Sequence, residues 1–152
     1  GYHDCRIDDT GLVVFPRLEP VATPHDRWTL LESGVPGIDA LLGGGLAEGT
    51  SCLLVGPSGT GKTTVATLYA TAAAARGEPA ALFLFEERPE TLLRRADGLG
   101  MPARASVAAG TLSLTAVSTG QLTPGEFADL IRRAVDARGV RVVVIDSLTG
   151  YL

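Results

Sequence analysis

Lysine is almost missing from this 152-residue chain: of its thirteen basic residues only Lys62 is a lysine, and the rest are arginine. Cysteine is scarce too. Cys5 and Cys52 lie far apart in the sequence, and Cys52 falls in the apolar run before residue 56; the expectation is two buried free thiols in a reducing compartment. His3, Asp4 and Cys5 are adjacent rather than at helical or hairpin spacing, so they do not form a metal-ligand set. No apolar run approaches the ~20 residues of a membrane span, and no basic-then-hydrophobic leader is visible; both point to a cytoplasmic protein without a membrane role. The net charge of −4 is scattered along the chain, leaving no electrostatic footprint for duplex DNA. The length suits one domain with a real core and is too short for two ordinary ones. Gly1 in place of methionine, and Tyr151-Leu152 following an apolar strand without a cap, give both ends a cut look.

What is present is concentrated around Lys62. Gly56-Pro57-Ser58-Gly59-Thr60-Gly61-Lys62-Thr63-Thr64 fits the phosphate-loop pattern G-x-x-x-x-G-K-[ST] without a mismatch. The apolar run Thr50–Val55 before it has strand length. After it Val65, Leu68, Tyr69 and Ala72 recur at helical spacing, with Gly77 able to stop the helix. A loop between strand and helix can turn its amide hydrogens, together with the positive helix end, onto a polyphosphate. In such a loop Lys62 reaches the terminal phosphates and the Thr63 hydroxyl holds a magnesium ion. A compact ammonium on a flexible stem suits that contact better than a planar guanidinium does.

The rest of the chain alternates strands and helices. Cys5–Ile7 and Leu12–Phe15 flank the turn-forming Asp8-Asp9-Thr10-Gly11 and predict a hairpin; Pro16, Pro20 and Pro24 then punctuate a linker to Trp28. The hairpin has too little apolar area to fold alone and must pack on something else. Pro36 opens a short helix that Gly43 stops, and Gly43-Gly44-Gly45, taken alone, is a flexible loop. Ala80–Phe85 is continuously apolar, as in a strand buried on both faces of a parallel sheet. A helix follows from Arg88-Pro89-Glu90, and a short one near Ala103–Ala109. Thr111–Val117 alternates like an edge strand. Thr123-Pro124-Gly125-Glu126 is a capping box, starting a helix that buries Phe127, Leu130, Ile131, Ala134 and Val135. Arg141–Ser147 is a last buried strand, closing on Asp146. The pattern predicts an α/β fold with a mainly parallel sheet.

In open sheets of this class ligands bind beyond the carboxyl ends of the strands. The strand ends deliver the phosphate loop, Glu86-Glu87 and Asp146 to that edge. Asp146, after four apolar residues, fits a Walker B acid that holds magnesium through water. Glu86 or Glu87 is placed to orient and activate the water attacking the terminal phosphate. Adjacent side chains on a strand point opposite ways, so one of the two is expected to face the water, and the sequence does not say which.

The runs SGVPGIDALLGGGL, GPSGTGKTT, FEERPETLLRRADGLG and VVVIDSLTGYL, in unbroken order over about residues 30–152, resemble the KaiC-like, circadian-clock branch of the RecA-type ATPases. The resemblance implies a RecA-like core that binds ATP and Mg²⁺ and hydrolyses ATP slowly in a hexameric ring, with a regulatory protein as a further partner. By position Glu86 and Glu87 match the family's catalytic glutamate pair and Asp146 its Walker B aspartate. Residues 1–28 look like the tail of a preceding domain plus a linker, and 29–152 like the front of a KaiC-type domain. The pattern stops at Leu152. A strand that in such cores lies between the phosphate-loop and Walker B strands is not in the chain, nor are a neighbour's basic residues or the hydroxyls that some relatives phosphorylate, so autokinase activity is not carried over. Two other readings compete with the ATPase: a nucleotide-gated assembly or binding module with little turnover, and a RecA-type recombinase acting on DNA. A small-molecule phosphotransferase fits least, because an acid pair suits water activation.

Overall fold

The computed structural model describes residues 2–19, 29–118, 120 and 122–147; the linker expected up to Trp28 falls mainly outside them. Its sheet is built on β5 (Ala80–Leu84), whose five residues are all buried. β6 (Leu112–Ala116) pairs with one edge of β5 and β7 (Val142–Asp146) with the other, both parallel and in register. Leu84 therefore stands opposite both Ala116 and Asp146, and the three strands end together. β6 is an edge strand, as its alternation predicts. β7 is half-buried along its whole length rather than buried, because only β5 flanks it among the described strands.

The chain leaves β5 through α3 (Pro89–Gly98) and α4 (Ala103–Ala108) to reach β6, then returns over β5 through α5 (Pro124–Arg138) to β7. The two crossovers run in opposite directions, so a common right-handed sense puts their helices on opposite faces. Strand alternation sorts the cores accordingly. Ala80, Leu82, Leu84, Leu112 and Val144 pack with Ala70 and Ala74 of α2 (Lys62–Ala75) and with Leu92 and Ala96 of α3. Ala81, Phe83 and Ile145 pack with Phe127 and Ala134 of α5, Phe83 and Phe85 each meeting the Phe127 ring edge-on. The Thr123 hydroxyl accepts from the Glu126 amide at 3.3 Å and Glu126 Oε2 from the Thr123 amide at 2.7 Å, so the capping box is formed.

One expected strand does not form. Residues 51–55 belong to no sheet among the described residues and are exposed, with Leu53 and Val55 at 72% and 84%. A strand needs a neighbour for its amides and carbonyls, and no described strand lies beside this segment. Cys52 within it and Cys5 are exposed, not buried.

The triple glycine is more than a flexible loop. It connects α1 (Pro36–Leu41) to β4 (Leu46–Ala47), which pairs with β3 (Leu30–Leu31). Gly45 has φ +141°, and a Cβ there would run into the Leu31 carbonyl. Asp39 locks the same region by accepting from the Ser33 amide at 2.8 Å. That bond, first among its causes, holds the Asp39 carboxyl below its usual 3.8.

The hairpin of β1 (Asp4–Asp8) and β2 (Gly11–Phe15) packs on α5. The Gly125 amide donates to Asp4 Oδ2 at 2.6 Å, and Arg6 Nη1 donates to Glu126 Oε1 at 3.1 Å, while the Arg6 guanidinium lies over the Phe15 ring. The helix start is thus capped from within by Thr123 and from outside by Asp4.

Two outcomes follow from this packing. Gly125→Ala would put a Cβ 2.6 Å from Asp4 Oδ2 and 2.8 Å from Asp4 Cβ; it should displace the hairpin, lower stability by about 1–3 kcal/mol as overpacking does, and open the hairpin to limited proteolysis. The folded pKa of Asp39 is depressed, so its contribution is complete above 3.8 and is lost as pH falls through the lower folded value. Asp39→Asn should flatten that acid limb in thermal unfolding followed against pH.

Candidate functional site

The phosphate loop leads into α2 through two left-handed glycines, Gly59 at φ +81° and Gly61 at φ +90°. A side chain at either would be strained. Gly61 is the N-cap of α2, with no side chain capping it and no acid in the first turn. The contrast with α3 and α5 is physical: each of those begins with Pro and a glutamate, Glu90 or Glu126, which complement the positive helix end. α2 instead places Lys62 there, a charge of the wrong sign for the dipole. An uncapped positive end reinforced by a cation suits an external anion. Lys62 Nζ is held inside the curve of the loop, donating to the Gly56 carbonyl at 2.8 Å and the Pro57 carbonyl at 2.7 Å; the Thr60 hydroxyl closes the loop on Pro57 O at 2.9 Å.

Beyond the carboxyl ends of β5 and β7 lies a cleft of about 430 Å³ lined by Thr63, Glu86, Glu87, Arg88, Thr91, Arg95 and Asp146. Four residues expected from the sequence therefore converge: the hydroxyl next to Lys62, both glutamates and the acid closing β7. Gly56, Pro57, Ser58, Gly59, Thr60, Gly61, Lys62 and Thr64 form the loop and helix start beside the cleft and are not among its lining residues. Both glutamates line the cleft, so strand alternation does not decide which of them meets the water. β5 ends at Leu84 and the backbone bends through residues 85–87, so both acids reach the cleft.

Their partners differ. Glu87 is bound by Arg95 through both oxygens, Nη1 to Oε1 and Nη2 to Oε2, each at 2.7 Å. Glu86 is exposed and accepts from the Ser147 hydroxyl at 3.2 Å. Arg104 of α4 anchors the helix carrying Arg95, bonding Glu90 at 2.6 Å and Asp97 at 2.6 Å. Its hydrogen bond keeps the Glu90 carboxyl below the usual range. Arg88, Thr91 and Arg95 are the cleft residues that sequence reasoning missed. Arg88 is the N-cap of α3, and Thr91 and Arg95, four apart, share one stripe of that helix, apart from buried Leu92, Leu93 and Ala96; that polar stripe is the signal that could have found them.

A parallel α/β sheet with a phosphate loop beside its carboxyl edge defines the class as a P-loop protein. The KaiC ATPase family model matches residues 31–152, and the chain belongs to that family. It is 30% identical over 134 residues to a UPF0273 protein of Methanopyrus kandleri, covering 78% of this chain and 53% of that protein. It is 35% identical over 101 residues to the circadian clock oscillator protein KaiC of Synechococcus elongatus, covering 66% of this chain and 20% of that one. The KaiC of Picosynechococcus sp. is 27% identical over 149 residues, which is 98% of this chain and 29% of that protein. The chain thus spans about half or less of the curated relatives it matches. Among the described residues, no helix is long and apolar enough to cross a membrane.

Proposed function

We propose that the chain binds ATP with Mg²⁺ and hydrolyses it slowly. The observation that carries this is the convergence of Thr63, Glu86, Glu87 and Asp146 on one cleft beside an uncapped, lysine-bearing helix start. The loop amides of residues 56–64 and the Lys62 ammonium take the phosphates. The donor set fits a magnesium ion, with a hydroxyl from Thr63 and a carboxylate from Asp146 on the same cleft. When bound, the ion neutralises charge on the phosphate oxygens. A carboxylate of the Glu86-Glu87 pair accepts a proton from the attacking water. The geometry leaves both glutamates in the cleft, which favours an ATPase over a module in which turnover is incidental. Following the family resemblance, we extend the proposal to self-association of like subunits in a ring.

Two measurements test this. Lys62→Ala removes a charge-assisted contact worth about 1.5–3 kcal/mol, so affinity for a fluorescent ATP analogue should fall by roughly ten- to a hundredfold; unchanged affinity would sink the reading of the loop. Replacing Glu86 and Glu87 together by glutamine should abolish phosphate release and leave analogue binding in place. Retained turnover would instead point to the nucleotide-gated module.

A further inference from the structure

The hydrolytic reading, on which this inference rests, treats the two glutamates alike; their surroundings do not. Three carboxylates, those of Glu86, Glu87 and Asp146, line the cleft that would admit a polyphosphate. Left uncompensated, adjacent like charges repel each other and the incoming anion. Arg95 meets this problem at one position. Its guanidinium binds both oxygens of Glu87 in a fork, a geometry that a planar cation supplies and an ammonium does not. The pair is partly shielded, with the Glu87 side chain 18% exposed. Glu86 is exposed and, among the described residues, accepts a longer hydrogen bond from Ser147 at 3.2 Å, which leaves lone pairs for solvent.

We propose that Arg95 is a positioning residue that withdraws Glu87 from water activation and cancels its charge, leaving Glu86 as the base. In the step itself, a lone pair of the water oxygen forms the bond to the terminal phosphorus, and the bond from that phosphorus to the bridging oxygen breaks. The electron pair stays on the departing diphosphate, and the water proton passes to a Glu86 carboxylate oxygen and from there to solvent. Glu87 takes no proton. Its part is to hold Arg95, and through it to fix the charge that the polyphosphate meets. The sequence carries a hint of this in Arg94-Arg95, of which Arg95 reaches the cleft.

Steady-state phosphate release on the full chain, with E86Q, E87Q, R95A, R95K and the double variant R95A/E87Q, tests this. E86Q should lose roughly 100-fold or more in kcat, the scale of a lost general base, whereas E87Q should lose less than about tenfold. R95A should raise KM for Mg-ATP severalfold with a smaller change in kcat, because it frees a carboxylate beside the phosphates. R95K, unable to form the fork, should fall between. In the E87Q background the same R95A change should cost less than about twofold, since the charge it controls is gone; this coupling separates charge control from a merely structural role for Arg95. Fluorescent-analogue binding by each variant gives the same comparison without turnover. E87Q as inactive as E86Q, or an R95A cost that persists in the E87Q background, would overturn the assignment and leave the ATPase reading standing. Wild-type protein that binds the analogue without releasing phosphate would overturn both.

Discussion

The parallel, in-register pairing of Ala80–Leu84 with a strand on each side fixes where every crossing of the sheet ends. β5 is hydrogen-bonded at both edges and buried on both faces, so it cannot slip by one residue without turning its core side chains to the wrong helix layer. Leu84 and Asp146 are held side by side as a result, and the bend after Leu84 turns Glu86 and Glu87 into the space that Asp146 also faces. Small residues of α2, Ala70 and Ala74, let that helix lie close on the same sheet, which brings Thr63 to the cleft. The chemistry at the edge is thus a consequence of ladder register and of close helix packing.

Charge is distributed over this frame with opposite logic in different helices. α3 and α5 start in the stabilising way, with proline and an acid in the first turn, and α5 gains a second cap from Asp4 of the hairpin. α2 starts with glycines in left-handed conformation and a lysine. Two local preferences, for an N-capping side chain and for an acid near the positive end, are both set aside at the same place. Departures from local rules of this kind gather where a ligand is to supply the missing partner. The acids of the cleft face the opposite problem, an excess of one sign, and Arg95 offsets it from the polar stripe of α3.

The hairpin and the segment before the phosphate loop show how far packing context decides local structure. The hairpin's own apolar area is small, yet it is fixed by two side chains on the first turn of α5, with Glu126 serving both the capping box and Arg6. Residues 52–55 are an apolar run of strand length and still form no ladder among the described residues, because β propensity expresses a fit to neighbours more than a backbone preference.

By itself the sequence determined the elements whose signals are local: the phosphate loop with its two left-handed glycines, the Thr123–Glu126 capping box, the doubly buried β5, the edge character of β6, and the acids at the ends of β5 and β7. Each depends on a pattern a few residues long. The tertiary structure alone decided which acids share a cleft, since that depends on strand register and on a bend at 85–87 that breaks the alternation rule. It also decided that Glu87 is claimed by Arg95, that the hairpin belongs to α5, and that Gly45 is required by the Leu31 carbonyl. Those outcomes join residues separated by anything from a helical turn or two to most of the chain, and no periodicity in one segment encodes a partner supplied by another.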